Sequence, residues 1–306
     1  MQEDKEKMIR TIPSEVQDTS VLTPGFLVLE GGAQRSVFTM GILDAMMLEG
    51  IHVRDVLGVS AGALAGLSYC AGHVGEAMRF LLQYADDPNF IGIQAALRTH
   101  EFINYSIMTD AAAAWDDSAK ARFADPRRHF YAEATEMESG RPVFFEKKRD
   151  DAWNGQIIRA SAAFPLMANP VEIEGKHYLD GGCSMQIPYA FALAMTKEPI
   201  LVIRSNPREY RVRPSGGIYF RQVSRTYGKY EKFCEAMADN VARYNRECDA
   251  LEKLEEEGRI KMICPERPMP FKRFTRDLGR MIRGYRQGFR QAKQEMDEIK
   301  NWLCGK

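Results

Sequence analysis

The sequence predicts an α/β fold with a mainly parallel central sheet flanked by helices, followed by a helical C-terminal extension. Two observations carry this. The apolar run at residues 25–30 (Gly-Phe-Leu-Val-Leu-Glu) ends at Gly31-Gly32, and apolar residues then recur at helical spacing over 37–49. The pattern returns at once, with 55–59 as a short buried strand, Ser60 at a turn and the small-residue run 61–71 as a helix. Consecutive strand, loop and helix units set parallel strands side by side and cover their faces with helices.

The remaining elements follow in order. Residues 74–117 read as mainly helical, and by position the stretch from Pro88 to Asp117 is a candidate cover over a site. Residues 129–136 and 142–147 read as strands, and 151–163 as a helix stopped before Pro165. Residues 171–174 and 176–179, around Gly175, predict a hairpin leading into Asp180-Gly181-Gly182; 200–204 is a further core strand. Beyond Pro214-Ser215-Gly216-Gly217 the composition shifts to long charged helices over 218–257 and 271–303, with a strand-like alternation at 259–264 that could join the main sheet. The expected organisation is a polar tail over 1–20, a main domain over 21–213 and a charged helical section over 214–306.

Composition narrows the function. The 306 residues carry 42 basic and 42 acidic side chains, which argues against a globally basic nucleic-acid binder, and no nucleic-acid partner is expected. Residues 1–20 lack the apolar core of a secretory signal, and no stretch approaches the roughly 20 apolar residues of a membrane span, so a cytoplasmic location is expected. Cys70, Cys183, Cys234, Cys248, Cys264 and Cys304 form no C-x-x-C pair and have no histidine at zinc-ligand spacing. They read as reduced packing thiols, and neither a metal nor an organic cofactor is expected. The sequon Asn104-Tyr105-Ser106 carries no weight without a secretory signal.

Gly58-Val59-Ser60-Ala61-Gly62 is G-x-S-x-G between a predicted strand and a predicted helix, the context in which it marks a nucleophile elbow. The elbow strains the serine backbone and crowds the positions two residues to either side, where Gly58 and Gly62 remove the clash. The helix after Ser60 aims its N–H groups and positive dipole end at the reaction centre. A glycine-serine turn without chemistry is the competing reading.

Glu30-Gly31-Gly32-Ala33-Gln34-Arg35-Ser36 also lies between strand and helix, where bare N–H groups converge on an anion. Neither G-x-G-x-x-G nor G-x-x-x-x-G-K-[ST] can be written here, so an oxyanion hole from the Gly31, Gly32 and Ala33 amides fits better than a nucleotide site. Arg35 would fix the loop or add positive charge; a plain helix-packing turn is the alternative.

A serine hydroxyl needs a general base. The order Ser, acid, His with a late histidine is missing, because His177 is the last histidine and precedes Asp180. A pair with His73, His100, His129 or His177 stays open, with His177 the best of them. Asp180 ends an apolar strand and precedes two glycines, so its carboxylate would sit on a tight turn at the sheet edge. Partial burial would raise its basicity.

Taken together, the three segments resemble those of the patatin-like phospholipases, whose marks are G-G-G-x-[KR]-G, G-x-S-x-G and D-G-[GA]. Gly31-Gly32-Ala33-Gln34-Arg35-Ser36, Gly58-Val59-Ser60-Ala61-Gly62 and Asp180-Gly181-Gly182 stand in the same order, and Ala160-Ser161-Ala162-Ala163-Phe164-Pro165 is similar to the small-residue block before the family's aspartate. The resemblance implies a patatin-like catalytic domain with a Ser60-Asp180 dyad, acting on phospholipid or another acyl ester. Two positions depart from the pattern. Ala33 still offers an N–H, so its cost should be small, whereas Ser36 matters if that position needs positive φ. A soluble carboxylesterase or thioesterase, or a catalytically weak binding or scaffold protein, are the alternatives.

Arg276, Arg280, Arg283, Arg286 and Arg290, with Lys272 and Arg273 before them, recur at spacings that line one helix face, with Leu278, Ile282, Phe289 and Met296 available to face the protein. The preferred reading is a solvated face paired with acidic residues such as Glu255, Glu256 and Glu257. The other is peripheral contact with an anionic membrane surface.

Overall fold

The computed structural model describes residues 2–113, 115–213 and 217–305. In chain order the elements are α1 (Gln2–Ile9), β1 (Glu15–Val16), β2 (Thr23–Leu29), α2 (Val37–Leu48), β3 (Val53–Val59), α3 (Ala61–Cys70), β4 (His73–Val74), α4 (Glu76–Tyr84), α5 (Ile93–Thr99), α6 (Ser106–Ala113) and α7 (Asp117–Phe123). There follow β5 (His129–Glu136), β6 (Pro142–Glu146), α8 (Asp151–Ala162), β7 (Val171–Ile173), β8 (Lys176–Asp180), α9 (Tyr189–Met195), β9 (Ile200–Ile203), α10 (Ile218–Tyr227), α11 (Glu231–Glu256), β10 (Lys261–Ile263), α12 (Leu278–Gln294) and α13 (Met296–Leu303).

Eight strands form the central sheet, in the order β10-β9-β2-β3-β5-β8-β7 with β6 also on β5. Strands β10, β9, β2, β3 and β5 run parallel, while β6, β7 and β8 are antiparallel additions. Phe26, Leu27, Val28 and Leu29 of β2 are all buried, as a parallel strand covered on both faces requires. Their side chains divide between two cores, Leu27 and Leu29 on one face and Phe26 and Val28 on the other.

The C-terminal section is woven into this body. Strand β10 pairs in parallel with β9, Lys261 opposite Leu201 and Ile263 opposite Ile203. Helix α12 crosses α2 at glycine contact: a Cβ on Gly288 would lie 2.1 Å from the Phe38 carbonyl oxygen, and one on Gly41 would lie 2.2 Å from that of Tyr285. The boundary residues Pro214-Ser215-Gly216 lie outside the described residues.

The charged helices differ from the expected 218–257 and 271–303. The first divides into α10 and α11, and the second starts only at Leu278, where the Asp277 carboxylate accepts the Arg280 N–H at 2.9 Å, and divides again at Glu295. An aspartate N-cap satisfies an otherwise orphaned amide and so fixes the start. Lys272, Arg273 and Arg276 therefore precede the helix. Arg280, Arg283, Arg286 and Arg290 do line its exposed face, and Ile282 and Met296 are buried. The expected pairing with Glu255, Glu256 and Glu257 does not form: Glu255 pairs with Arg208 and Glu257 with Lys253 and Arg259, whereas Arg280 pairs with Asp277. Among the described residues no helix is long and apolar enough to cross a membrane.

Candidate active site

Ser60 joins β3 to α3 with φ 55° and ψ −124°, a conformation that costs a non-glycine residue on the order of 1–3 kcal/mol. The neighbouring glycines permit it. A Cβ on Gly58 would stand 2.4 Å from the Ala63 Cα, and one on Gly62 would stand 2.6 Å from the Leu29 carbonyl oxygen. The Ser60 N–H donates to the Ser161 hydroxyl of α8 at 3.0 Å, which locks the turn from the other side.

Strand registers explain why Asp180 meets Ser60 across 120 residues. Val59, the last residue of β3, pairs with Glu133 of β5, and Asp180, the last of β8, pairs with Ala134. Because β6 pairs with Tyr131 to Thr135 along the other edge of β5, β8 must take the edge that β3 leaves when it turns off at Ser60. The Asp180 N–H donates to the Ala163 carbonyl at 2.9 Å, and its carbonyl accepts the Thr135 hydroxyl at 2.9 Å. The Ala160 to Pro165 block thus touches both residues.

The Asp180 carboxyl is 5% exposed, and its Oδ1 accepts the Gly182 N–H at 2.8 Å. Burial pushes its pKa up to about 6, against the pull of the Ser60 hydroxyl, the Gly182 amide and the Arg273 guanidinium. At neutral pH it is ionised yet more basic than an aspartate in water, which suits an acceptor for a hydroxyl proton. Next to it Glu133 is wholly buried, and burial, Glu247 and Asp180 together push its pKa up, against the pull of Arg243 and the Ser184 hydroxyl.

The glycine loop lies against the elbow. Of its three expected donors, the Gly31 N–H is already given to the Gln186 carbonyl at 3.3 Å, which leaves the Gly32 and Ala33 amides for an anion. Ala33 has φ +50° and Ser36 φ −65°, so the positive angle falls on the alanine, whose cost was expected to be small, and the condition under which Ser36 would matter is not met. Gln34 ties the loop to the C-terminal section: its N–H donates to the Arg273 carbonyl at 3.2 Å, and its side-chain oxygen accepts the Thr275 N–H. Arg35 lines neither cavity described below; burial first and then Arg273 lower its pKa, and Glu30 raises it.

Two cavities meet at Ala33, Ser60, Phe164 and Asp180. The first, about 1050 Å3 of empty space partly open to solvent, is walled by apolar side chains including Met40, Leu64, Leu67, Phe80 and Met108. Phe90, Ile91, Ile103, Tyr105, Met108 and Trp115, from the expected cover segment, form its outer wall. The second, about 580 Å3, is lined by Gly182, Gln186, Tyr219, Asn240 and Arg273 among others. No histidine lines either. His177 and His129 bond through Nδ1 to Glu138 and Glu146 at the surface, so the structure brings none of the alternative bases to Ser60.

The model of the patatin-like phospholipase family matches residues 27–193, more than half of the chain. The chain belongs to this family. Lipid hydrolysis is the broad activity that membership carries, and the patatin-like region contains the elbow, the glycine loop and Asp180. Residues 230–304 match a second family model, a domain of unknown function designated DUF6363. The chain is similar to the uncharacterized protein YjjU of Escherichia coli, 27% identical over 92% of this chain and 75% of that one. It is also similar to an uncharacterized NTE family protein of Mycobacterium tuberculosis, 25% identical over 60% of this chain and 49% of the relative. The crystal structure of VipD from Legionella pneumophila shares the fold, with a TM-score of 0.50 at 12% identity, over 94% of this chain and 70% of that one.

Several residues around this patatin-like site escaped the sequence reading. Glu30, fully buried, accepts from the Ser205 amide, Asn206 Nδ2 at 3.2 Å and the Tyr244 hydroxyl at 2.7 Å, fixing the strand end that launches the glycine loop. Asn240 Nδ2 donates to the Gly182 carbonyl at 2.6 Å and to that of Cys183 at 3.3 Å, and Arg243 to the latter as well. A charge directly before two glycines was the one available signal for Glu30; nothing in a charged helix marked Asn240.

Proposed function

We propose that the protein is a serine lipid acyl hydrolase with a Ser60-Asp180 dyad, releasing fatty acid from phospholipid or a related acyl ester. The observation that carries the reading is a strained serine and a buried, basic carboxylate set against adjacent residues of β5, at the end of an apolar cavity. Ser60 Oγ attacks the ester carbonyl as Asp180 accepts its proton, and the Gly32 and Ala33 amides hold the oxyanion. The ester C–O bond then breaks, Asp180 returns the proton to the leaving alkoxide, and water, activated in turn by Asp180, cleaves the acyl-enzyme. The acyl chain occupies the apolar cavity.

Delivery from a lipid surface fits the rim of that cavity. Ile93 and Leu97 of α5 are 74% and 77% exposed, Phe102 and Phe274 are exposed as well, Phe274 lines the cavity, and Arg276 bonds to the carbonyl of Ile91, which also lines it. Peripheral contact would then combine this apolar rim with the arginines of α12.

A serine-reactive fluorophosphonate and phospholipid vesicles test the dyad. Wild type labels and releases fatty acid, Ser60→Ala does neither, and Asp180→Asn falls by at least about a hundredfold, the scale of a general base. Labelling of Ser60→Ala equal to wild type removes the hydrolase reading. Hydrolysis of water-soluble esters without any release from vesicles would leave a soluble esterase.

A further inference from the structure

We infer that the polar cavity is the leaving-group site and that Arg273, with the Tyr219 hydroxyl, binds there the anionic phosphate of a glycerophospholipid headgroup. This rests on the reading of Ser60 as the nucleophile. An ester cleaved at Ser60 has two halves, and two cavities of contrasting polarity diverge from Ser60 and Asp180. The apolar one suits the acyl chain. The other shares Asp180 with it and adds Gly182, whose amide bonds the Asp180 carboxylate, so the group that must reprotonate the alcohol oxygen is within reach there.

The polar cavity is equipped for an anion. Arg273 is the only basic residue among its lining residues, and Asp180 the only acidic one. Arg273 is an exposed residue, its guanidinium has no carboxylate at ion-pair distance among the described residues, and it lies 5.3 Å over the Phe164 ring where the cavities meet. Its backbone is not free to wander, because the Arg273 carbonyl accepts the Gln34 N–H and the next-but-one amide, of Thr275, bonds the Gln34 side chain. The Tyr219 hydroxyl is buried with no hydrogen-bond partner, a donor whose cost is recovered when a ligand oxygen accepts from it. Planar guanidinium and hydroxyl donors around a site otherwise walled by amides and apolar groups match a phosphodiester. Tyr219 and Arg273 both come from the C-terminal section, and Arg273 lies within residues 230–304, which gives part of the region of unknown function a role in reading substrate.

The test uses the full chain and short-chain substrates below their aggregation limit, so that attraction to a charged surface plays no part. Hydrolysis of a short-chain phosphatidylglycerol and of the matching neutral diacylglycerol is compared at about pH 8, where Asp180, with its pKa of about 6, is ionised. The wild type is expected to favour the phospholipid. Arg273→Gln lowers the phospholipid-to-diacylglycerol ratio of kcat/KM by about tenfold or more, mainly through KM, Arg273→Lys recovers part of it, and Tyr219→Phe lowers it by about threefold. Glycerol 3-phosphate inhibits the wild type at concentrations where inorganic phosphate does not; equal inhibition by both would assign the site to free phosphate and overturn the headgroup. A ratio unchanged in Arg273→Gln, with Ser60→Ala inactive, overturns this inference alone. Full activity in Ser60→Ala overturns the dyad instead.

Discussion

Ala33 holds a left-handed backbone, φ +50°, in the loop that faces Ser60. An L-residue pays on the order of 1 kcal/mol there, and glycine does not. Ala33→Gly is therefore expected to hold or raise the melting temperature and to retain esterase turnover. Ser36→Gly, at φ −65° beside the start of α2, gains nothing and loses about 0.5–1 kcal/mol of helix stability in thermal melts. Asp180 gives a second residue-scale expectation. Its carboxyl binds a proton more tightly folded, at about 6, than unfolded, near 3.8. Below 3.8 both states are protonated and burial costs nothing; the cost of the buried charge grows from there and is complete above about 6, reaching at most about 3 kcal/mol. Asp180→Asn should thus melt higher than wild type at pH 8, with the gap closing towards pH 4, while wild-type kcat/KM falls about tenfold per pH unit below about 6. Ser60, Asp180, Gly58 and Gly62 were legible because each sits in a short motif whose spacing reports geometry. Which loop residue takes the positive angle was not, since φ depends on how Gln34 is held from residues 273–275.

Helix α11 reaches the turn that carries Asp180. Asn240 bonds the Gly182 and Cys183 carbonyls, and Glu247 accepts the Gln186 and Ile187 amides at 3.2 Å, so one helix grips the turn and the chain leaving it. Asn240→Ala is expected to lower kcat about tenfold with KM nearly constant, because it loosens the base and not the acyl cavity, and steady-state kinetics separate the two. A rise confined to KM would place Asn240 in substrate binding. Most strands and helices α2 and α3 matched their apolar periodicity to within a residue or two, whereas α1 lies in the segment read as a polar tail. The C-terminal helices did not, because a run of arginines at helical spacing continues through the capping Asp277 without marking it.

The C-terminal section supplies the sheet edge β10, the glycine crossing of α12 on α2, and anchors for the glycine loop and for the turn after Asp180. Residues 1–213 alone would expose the α2 face that Met281, Ile282 and Tyr285 cover, and are expected to be insoluble or to lack a cooperative melt, whereas the full chain unfolds in one transition. Two independent transitions, with esterase activity kept by the shorter chain, would contradict this. The parallel sheet was legible from repeated strand and helix units. The insertion of antiparallel β8 beside β5 was not, because strand partners far apart in sequence leave no local trace.

Gln34 waits for residues 273–275, and a ribosome makes those some 240 residues later. A nascent chain can present Ser60 and Asp180 well before the glycine loop beside them is tied down. The order of synthesis therefore leaves the setting of the glycine loop open until the section that grips Gln34 has been made.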